Sequence, residues 1–571
     1  MMILELACFL GVALVLLLPG VLLAGWLELG RTPLDRVSHG AALGLAGAVY
    51  LGSLVSHFDL RWFYPVWGIF FLIVMGGFLA GRPRRRGLDH SLRGIETWVG
   101  LVILLVGVTR LAAVGPQEFP RGWDPSFHMI LAEKIRLTHH AIYDWSPFEV
   151  AKLNYPTGSH VLIVLISSVS RVPMPKVFED LIVLGGILTT AQMYTLSRHF
   201  SGDAKAALFA TIAYGFWAID GSLGYTIWGG LPNELGMLFF VGVLSIWMES
   251  TPAGGRIAAM ALLYAALILA HHHVMIASAA VLGTCLAWST LRGAAGTAKI
   301  LLAALVLSAL LDAFFLIPFA AHAATITSTH IMLDGELPLD AITIPRDRLG
   351  YLFCFVSVAG LALAAMRRSV KLDPRLLCGL GTLLILFVVC DYIIPPMLPR
   401  PAGVVSTVFT ASRFLADSTY FLAPIAGAAA AYVWRLSKIP LGIMAALLLS
   451  LGLTLWPTWQ DIATPPDLPD GFVAGCRWIH QNMPKDVIVF NHEPWTSYLT
   501  WRETIFTPMP ISEPIKNRYA RFEHLGDVFE GRAPADANLL VVQIVPPGDY
   551  HGRAVLWMDD SGAAVVRIWP K

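Results

Sequence analysis

A chain of 571 residues with 56% hydrophobic and only 14% charged residues is too apolar to be solvated by water alone, since soluble domains carry about 25% charged residues. A net charge of +1 excludes a polybasic nucleic-acid binder and a protein held on a membrane surface by basic patches. The cysteines are scattered, all but Cys476 in apolar runs, so no disulfide framework is implied.

Taken from the N-terminus, stretches apolar enough to cross a bilayer, which needs about 20 residues, fall near 3–25, 38–57, 63–80, 97–113, 177–197, 205–221, 233–249, 257–270, 274–291, 300–321, 351–366, 376–394, 417–434 and 439–457. The expectation is a polytopic α-helical membrane protein of about 14 transmembrane helices. The opening "MMILE" carries an acid and no basic leader, so the first stretch reads as a retained helix and not as a cleavable signal.

Lys and Arg in short loops set the orientation. The cluster "GRPRRRG" (81–87) assigns its loop to the cytoplasm, and the alternate loops 31–36, 198–205, 249–256, 291–299, 366–375 and 434–438 agree with it. This parity requires a break inside the apolar run 257–291, where "HHH" (271–273) is the polar interruption. The long segments 114–176, 322–350, 395–416 and the tail then lie outside, with both termini and every histidine except His39, His90 and His199. ATP and nucleotide sugars are absent on that side, and the sequence shows no Walker or dinucleotide glycine motif.

The chain divides into 1–96, a set of additional N-terminal helices; 97–457, the main transmembrane region with its outer loop 114–176; and 458–571, a small soluble domain. In the tail "GFVAGCRWIHQNMP" has helical apolar spacing. "DVIVF" and "NLLVVQIV" read as buried strands, and "AVLWMDDSGAAVVRIW" as two strands around a D-D-S-G turn. This is a mixed α/β unit of ordinary domain size.

The candidate site starts at "RGWDPSFHMILAEKI" (121–135). Asp124 precedes Pro125, a favourable first-turn residue, so Asp124 is a natural helix cap. Asp124 and His128, four apart, also share one helix face. Arg121, Glu133, Arg136, His139 and His140 share that loop, and "NYPTGSH" (154–160), which contains Tyr155, then breaks the chain and starts a short apolar helix. Irregular backbone at membrane depth is tolerated where it lines a cavity. Helix cap and functional carboxylate therefore stand side by side as readings of Asp124.

These residues resemble the GT-C superfamily of integral-membrane glycosyltransferases. "WDPSFHMILAEKI" is similar to the D-x-x-F-H-x-x-x-A stretch of its lipid-phosphate-sugar-dependent members, and "ASRFLADSTYFLAPIAGAAAAY" (411–432) to a late R-x-x-Y-x-L-x-P helix. The outer tail containing "WIHQNMPKDVIVFNHEPWTSYLTWRETIFTP" is similar in layout to oligosaccharyltransferase catalytic subunits, without their W-W-D-Y-G signature. The Asp-bearing loop follows the fourth helix here, whereas the superfamily places it after the first.

The resemblance implies an inverting glycosyltransferase, with a hexosyl or pentosyl donor on a polyprenyl-phosphate carrier and a glycan, lipid or protein acceptor on the extracytoplasmic side of the cell membrane. Asp124 would be the catalytic base and His128 its companion. Arg413 would hold the donor phosphate, with Arg346, Arg348 and Arg400 as further candidates. An interface arginine that only snorkels is the other reading of Arg413. Tyr155, Glu234, His271, His272, His273 and Trp495 are candidates for the acceptor cavity, and Trp495 offers an aromatic face for sugar stacking or an interfacial anchor. Asp312, deep in its span, is a functional candidate that a histidine could pair with. A divalent cation, Mg²⁺ or Mn²⁺, held by Asp124, His128 and residues 271–273 is an alternative to the free base. A lipid-linked glycan ligase or polymerase, and more remotely a secondary transporter, are the rival classes; the transporter would show internal repeats and midplane polarity.

Overall fold

Within the described residues each expected apolar stretch is mainly helical in the computed structural model, which describes residues 2–80, 89, 91–114, 119–120, 124–142, 155–218, 224–323, 350–366, 372–389, 411–454, 468–485, 487–490, 495–505, 540–550 and 553–569. The helices are α1 (Met2–Trp26), α2 (Pro33–Ser56), α3 (Phe63–Ala80), α4 (Arg93–Val114), α5 (Asp124–Thr138), α6 (Gly158–Ser170), α7 (Met174–Ser201), α8 (Ala204–Ile212), α9 (Gly224–Trp228), α10 (Leu231–Trp247), α11 (Ala253–Ala270) and α12 (His272–Leu291). They continue as α13 (Ala295–Leu311), α14 (Ala313–Ala323), α15 (Tyr351–Met366), α16 (Pro374–Val388), α17 (Ala411–Asp417), α18 (Thr419–Ser437), α19 (Leu441–Thr454), α20 (Asp470–Asn482) and α21 (Thr496–Thr500).

Eight of these helical stretches are long and apolar enough to cross a membrane, or ten if two bent pairs each count as one span. The chain is an integral membrane protein. The expected count of about 14 is higher because the helices Leu352–Met366, Pro374–Val388 and Leu441–Leu453 fall short of spanning length within the described residues. In the same way α8 runs only into a π-helical turn, Ala213–Trp217.

The bends have local causes. Between α6 and α7 the axis turns by 114°. There Arg171 takes φ 58° and Pro173 follows two residues later, which disfavours helix in the residue before it. Between α13 and α14 the turn is 75°, at Asp312. The break expected in 257–291 is present: His271 is extended, with φ −158° and ψ 127°, and separates α11 from α12.

The described residues of the basic loops gather at one end of the bundle, as the parity argument requires. Gly30 N donates to Glu249 at 3.2 Å, and Arg31 donates to Ser250. Asp89 N reaches Arg31 O at 2.9 Å, and Asp373 N reaches Phe200 O at 3.1 Å. Asp35 pairs with Arg198, Trp247 Nε1 donates to Thr297 O at 3.2 Å, and Lys205 lies 4.1 Å over the Trp434 ring. At the opposite end Leu60 N reaches His139 O at 2.7 Å and Ala141 N reaches Ser56 O at 2.7 Å. Helices α1 to α3 share one hydrophobic core with the rest of the bundle, so residues 33–56 are packed into its interior.

The tail forms a five-stranded sheet, order β2-β1-β3-β5-β4, from β1 (Ile488–Phe490), β2 (Glu503–Ile505), β3 (Val541–Val545), β4 (Ala554–Met558) and β5 (Ala564–Trp569). β1 pairs in parallel with β2 and β3, and β5 lies antiparallel to β3 and β4. Cys476 and Ile479 of α20 cover Val487, Val489, Val542, Ile544 and Val565. The D-D-S-G hairpin is as expected; β2 and α21 are additional elements.

Candidate functional site

Four segments distant in sequence meet at the end of the bundle opposite the basic loops. α5 brings His128, one turn after Asp124, and buries it. Its Nδ1 lies 3.0 Å from Nε2 of His160 in the first turn of α6. The His128 ring stacks on Phe178 of α7 at 5.8 Å. Desolvation holds the His128 imidazole well below the usual histidine range, with His160 and then Arg413 adding to the effect.

Tyr155 joins this pair to the second segment. Its ring centroid is 6.1 Å from His128, 5.8 Å from His160, 6.0 Å from His271 and 5.2 Å from His272. Gly158 makes the approach possible: a Cβ there would sit 2.7 Å from the carbonyl oxygen of Leu269, just before the histidine run. His271 and His272 stack on each other at 4.8 Å.

α17 is the last contributor. The Arg413 guanidinium is near enough to act electrostatically on both His128 and His271. Phe414 packs on the His273 ring at 4.8 Å, and His273 Nε2 lies 3.0 Å from Asp417 Oδ2, with both side chains buried. The structure thus brings together His128, Tyr155, His271, His272, His273 and Arg413. His160, Phe414 and Asp417 were missed in the sequence, although His160 ends the quoted "NYPTGSH" and Asp417 lies one helical turn after Arg413.

The other candidates fall elsewhere. The backbone of Asp124 opens α5, but its side chain, like Arg346, Arg348 and Arg400, lies outside the described residues. Glu234 is buried in the first turn of α10, accepts a 2.5 Å hydrogen bond from Thr189 and packs on Gly185, none of them in the histidine group. Trp495 is buried on Phe119 at 5.0 Å and beside Tyr498 at 5.7 Å, so its ring is taken up by contact between the tail and the segment leading to α5. Asp312 is buried at the α13–α14 bend, and among the described residues no histidine or other group hydrogen-bonds its carboxylate. Among the described residues no three His, Cys, Asp or Glu side chains are placed to hold a metal ion.

No protein-family model and no curated protein matches the chain. Solved structures do. The archaeal oligosaccharyltransferase AglB from Archaeoglobus fulgidus, in complex with an inhibitory peptide and a dolichol-phosphate, superposes with a TM-score of 0.51 and 13% identity, covering 79% of this chain and 69% of that one. The Archaeoglobus fulgidus oligosaccharyltransferase tethered with an acceptor peptide containing the NVT sequon gives 0.50 and 13%, over 80% and 69%. ArnT from Cupriavidus metallidurans bound to undecaprenyl phosphate gives 0.47 and 11%, over 83% and 98%. At this identity the likeness to AglB is one of fold, and that fold is the GT-C architecture expected from the sequence.

Proposed function

We propose that this protein is an inverting membrane glycosyltransferase that takes a sugar from a polyprenyl-phosphate carrier and passes it to an acceptor on the extracytoplasmic side. The observation that carries this reading is the meeting of His128, Tyr155, His271, His272 and Arg413, from four separate segments, at one end of a bundle with the AglB fold. A fold alone does not name a reaction; the site's chemistry supports this one.

In the proposed reaction the acceptor's nucleophilic atom attacks C1 of the sugar from the face opposite the phosphate. Its proton passes to the Asp124 carboxylate at the start of α5, acting as general base. The C1–O bond breaks and its electron pair leaves with the polyprenyl phosphate. Arg413 supplies the positive charge that stabilises the departing phosphate through charge-assisted hydrogen bonds. His128 remains neutral because it is buried. With Nδ1 held by His160, it offers Nε2 to orient the acceptor. Since AglB is solved with a dolichol-phosphate, a single-phosphate polyprenyl carrier is the donor class proposed.

Native mass spectrometry of the purified protein tests the reading. Wild-type protein should carry a polyprenyl phosphate or its glycosyl derivative, and Arg413→Ala should lose most of it. Arg413→Lys should fall between them, because charge persists but the two-pronged guanidinium is gone. Bulk phospholipid alone, equally abundant in all three proteins, would overturn the donor assignment.

A further inference from the structure

We infer that Asp417 and His273 act as a positioning pair that aims the Arg413 guanidinium at the donor phosphate. The inference rests on the donor reading above, and it assigns two residues no role in the chemistry itself. Arg413 and Asp417 are four residues apart on α17, so they leave the helix on one face. Asp417 is buried, and a buried carboxylate must be matched by a donor. His273 Nε2 lies 3.0 Å from Asp417 Oδ2 and 144 residues away in sequence.

The pair fastens α17 to the first turn of α12, directly after the extended His271 that opens the histidine run. α17 continues through Ser418 into α18, and Arg413–Ser437 forms one apolar stretch whose outer end carries Arg413 and Asp417. The outer end of this helix is tied to α12 by the Asp417–His273 bond and by the packing of Phe414 on the same imidazole. Loosening that tie would let the helix end shift and carry Arg413 away from His128 and His271, the groups its charge now reaches.

The test measures affinity for dolichyl phosphate and for undecaprenyl phosphate in detergent, together with thermal unfolding. Arg413→Ala should weaken binding at least tenfold. Asp417→Ala and His273→Ala should weaken it by a similar factor, whereas Asp417→Asn and His273→Gln, which keep a hydrogen bond between the two positions, should recover most of it. The Arg413→Ala/Asp417→Ala double variant should bind no worse than Arg413→Ala, since Asp417 acts through the arginine. Wild-type affinity in Asp417→Ala and His273→Ala, with loss in Arg413→Ala, would overturn the positioning role and leave the donor reading standing. Losses that add in the double variant, or that track a lowered unfolding temperature without rescue by the conservative variants, would also overturn it. Wild-type affinity in Arg413→Ala would remove the donor reading itself.

Discussion

At the end of the bundle where the basic loops meet, Asp35 and Glu249 have all their carboxylate oxygens in hydrogen bonds. Asp35 accepts from Thr32 N at 3.0 Å, from Thr195 at 3.0 Å and from Arg198. Glu249 accepts from Gly30 N at 3.2 Å, from Thr251 at 3.4 Å and pairs with His39 at 2.9 Å. At the opposite end the histidine group combines ring packing with the His128–His160 and His273–Asp417 bonds, and its acids and bases come from segments far apart in sequence. Buried polar atoms without protein partners occur at both ends, His199 Nε2 and Gln192 Oε1 at one and His271 Nδ1 at the other among the described residues, so the difference lies in the charge pairing that fixes helices against each other.

The contrast has a direction only if the histidine end faces away from the cytoplasm. With an impermeant thiol reagent on intact cells, Asp334→Cys and Ile515→Cys should label and Arg85→Cys should not. Labelling of Arg85→Cys alone would reverse the two ends and move the site to the cytoplasmic face.

Chemistry should be lost at one end and stability at the other. Asp124→Asn should lower transfer by about 10²–10⁴-fold, the usual contribution of a general base, with the donor still bound. His128→Ala should leave measurable turnover, and EDTA should change little. Full EDTA inactivation reversed by Mg²⁺ or Mn²⁺ would replace the free base with a metal-held one, and full activity in Asp124→Asn would leave that residue a helix cap. Glu249→Ala should instead cost about 3–5 kcal/mol of stability, because it strands His39 in a buried site. Its folded fraction should turn over normally. A fall in turnover with an unchanged unfolding temperature would erase the distinction between the ends.

Much of this division could be read from the chain alone. The charge parity of short loops demanded a break inside 257–291, and His271 supplies it. Arg413 and the 271–273 run were singled out by residue type and side, and they meet. What could not be read depends on contacts between residues far apart in sequence. Nothing local distinguishes Asp417 from an ordinary helix-terminal acid until His273, 144 residues away, is placed beside it. By residue type Trp495 could serve as a sugar face or as an interfacial anchor, and only the fold shows the ring packed on Phe119. The sequence also gives no warning that α13 turns by 75° at Asp312, since no proline or glycine marks the bend.

The smallest expected effect separates the two ends by acid sensitivity. Burial lowers the pKa of His128 in the folded protein relative to its value near 6.5 when exposed. The unfolded chain therefore binds a proton that the folded chain refuses. The stability associated with this neutral imidazole is fully present above pH 6.5 and is lost as the pH falls below it. Between pH 7.5 and 5.5 one such histidine accounts for roughly 1 kcal/mol. His128→Gln keeps a side chain that can hydrogen-bond His160 but cannot titrate, so it should show a smaller acid-induced fall in unfolding temperature than wild type. Identical acid responses in wild type and His128→Gln would mean that His128 takes up its proton in the folded state, and the neutral, acceptor-orienting role assigned to it would fail.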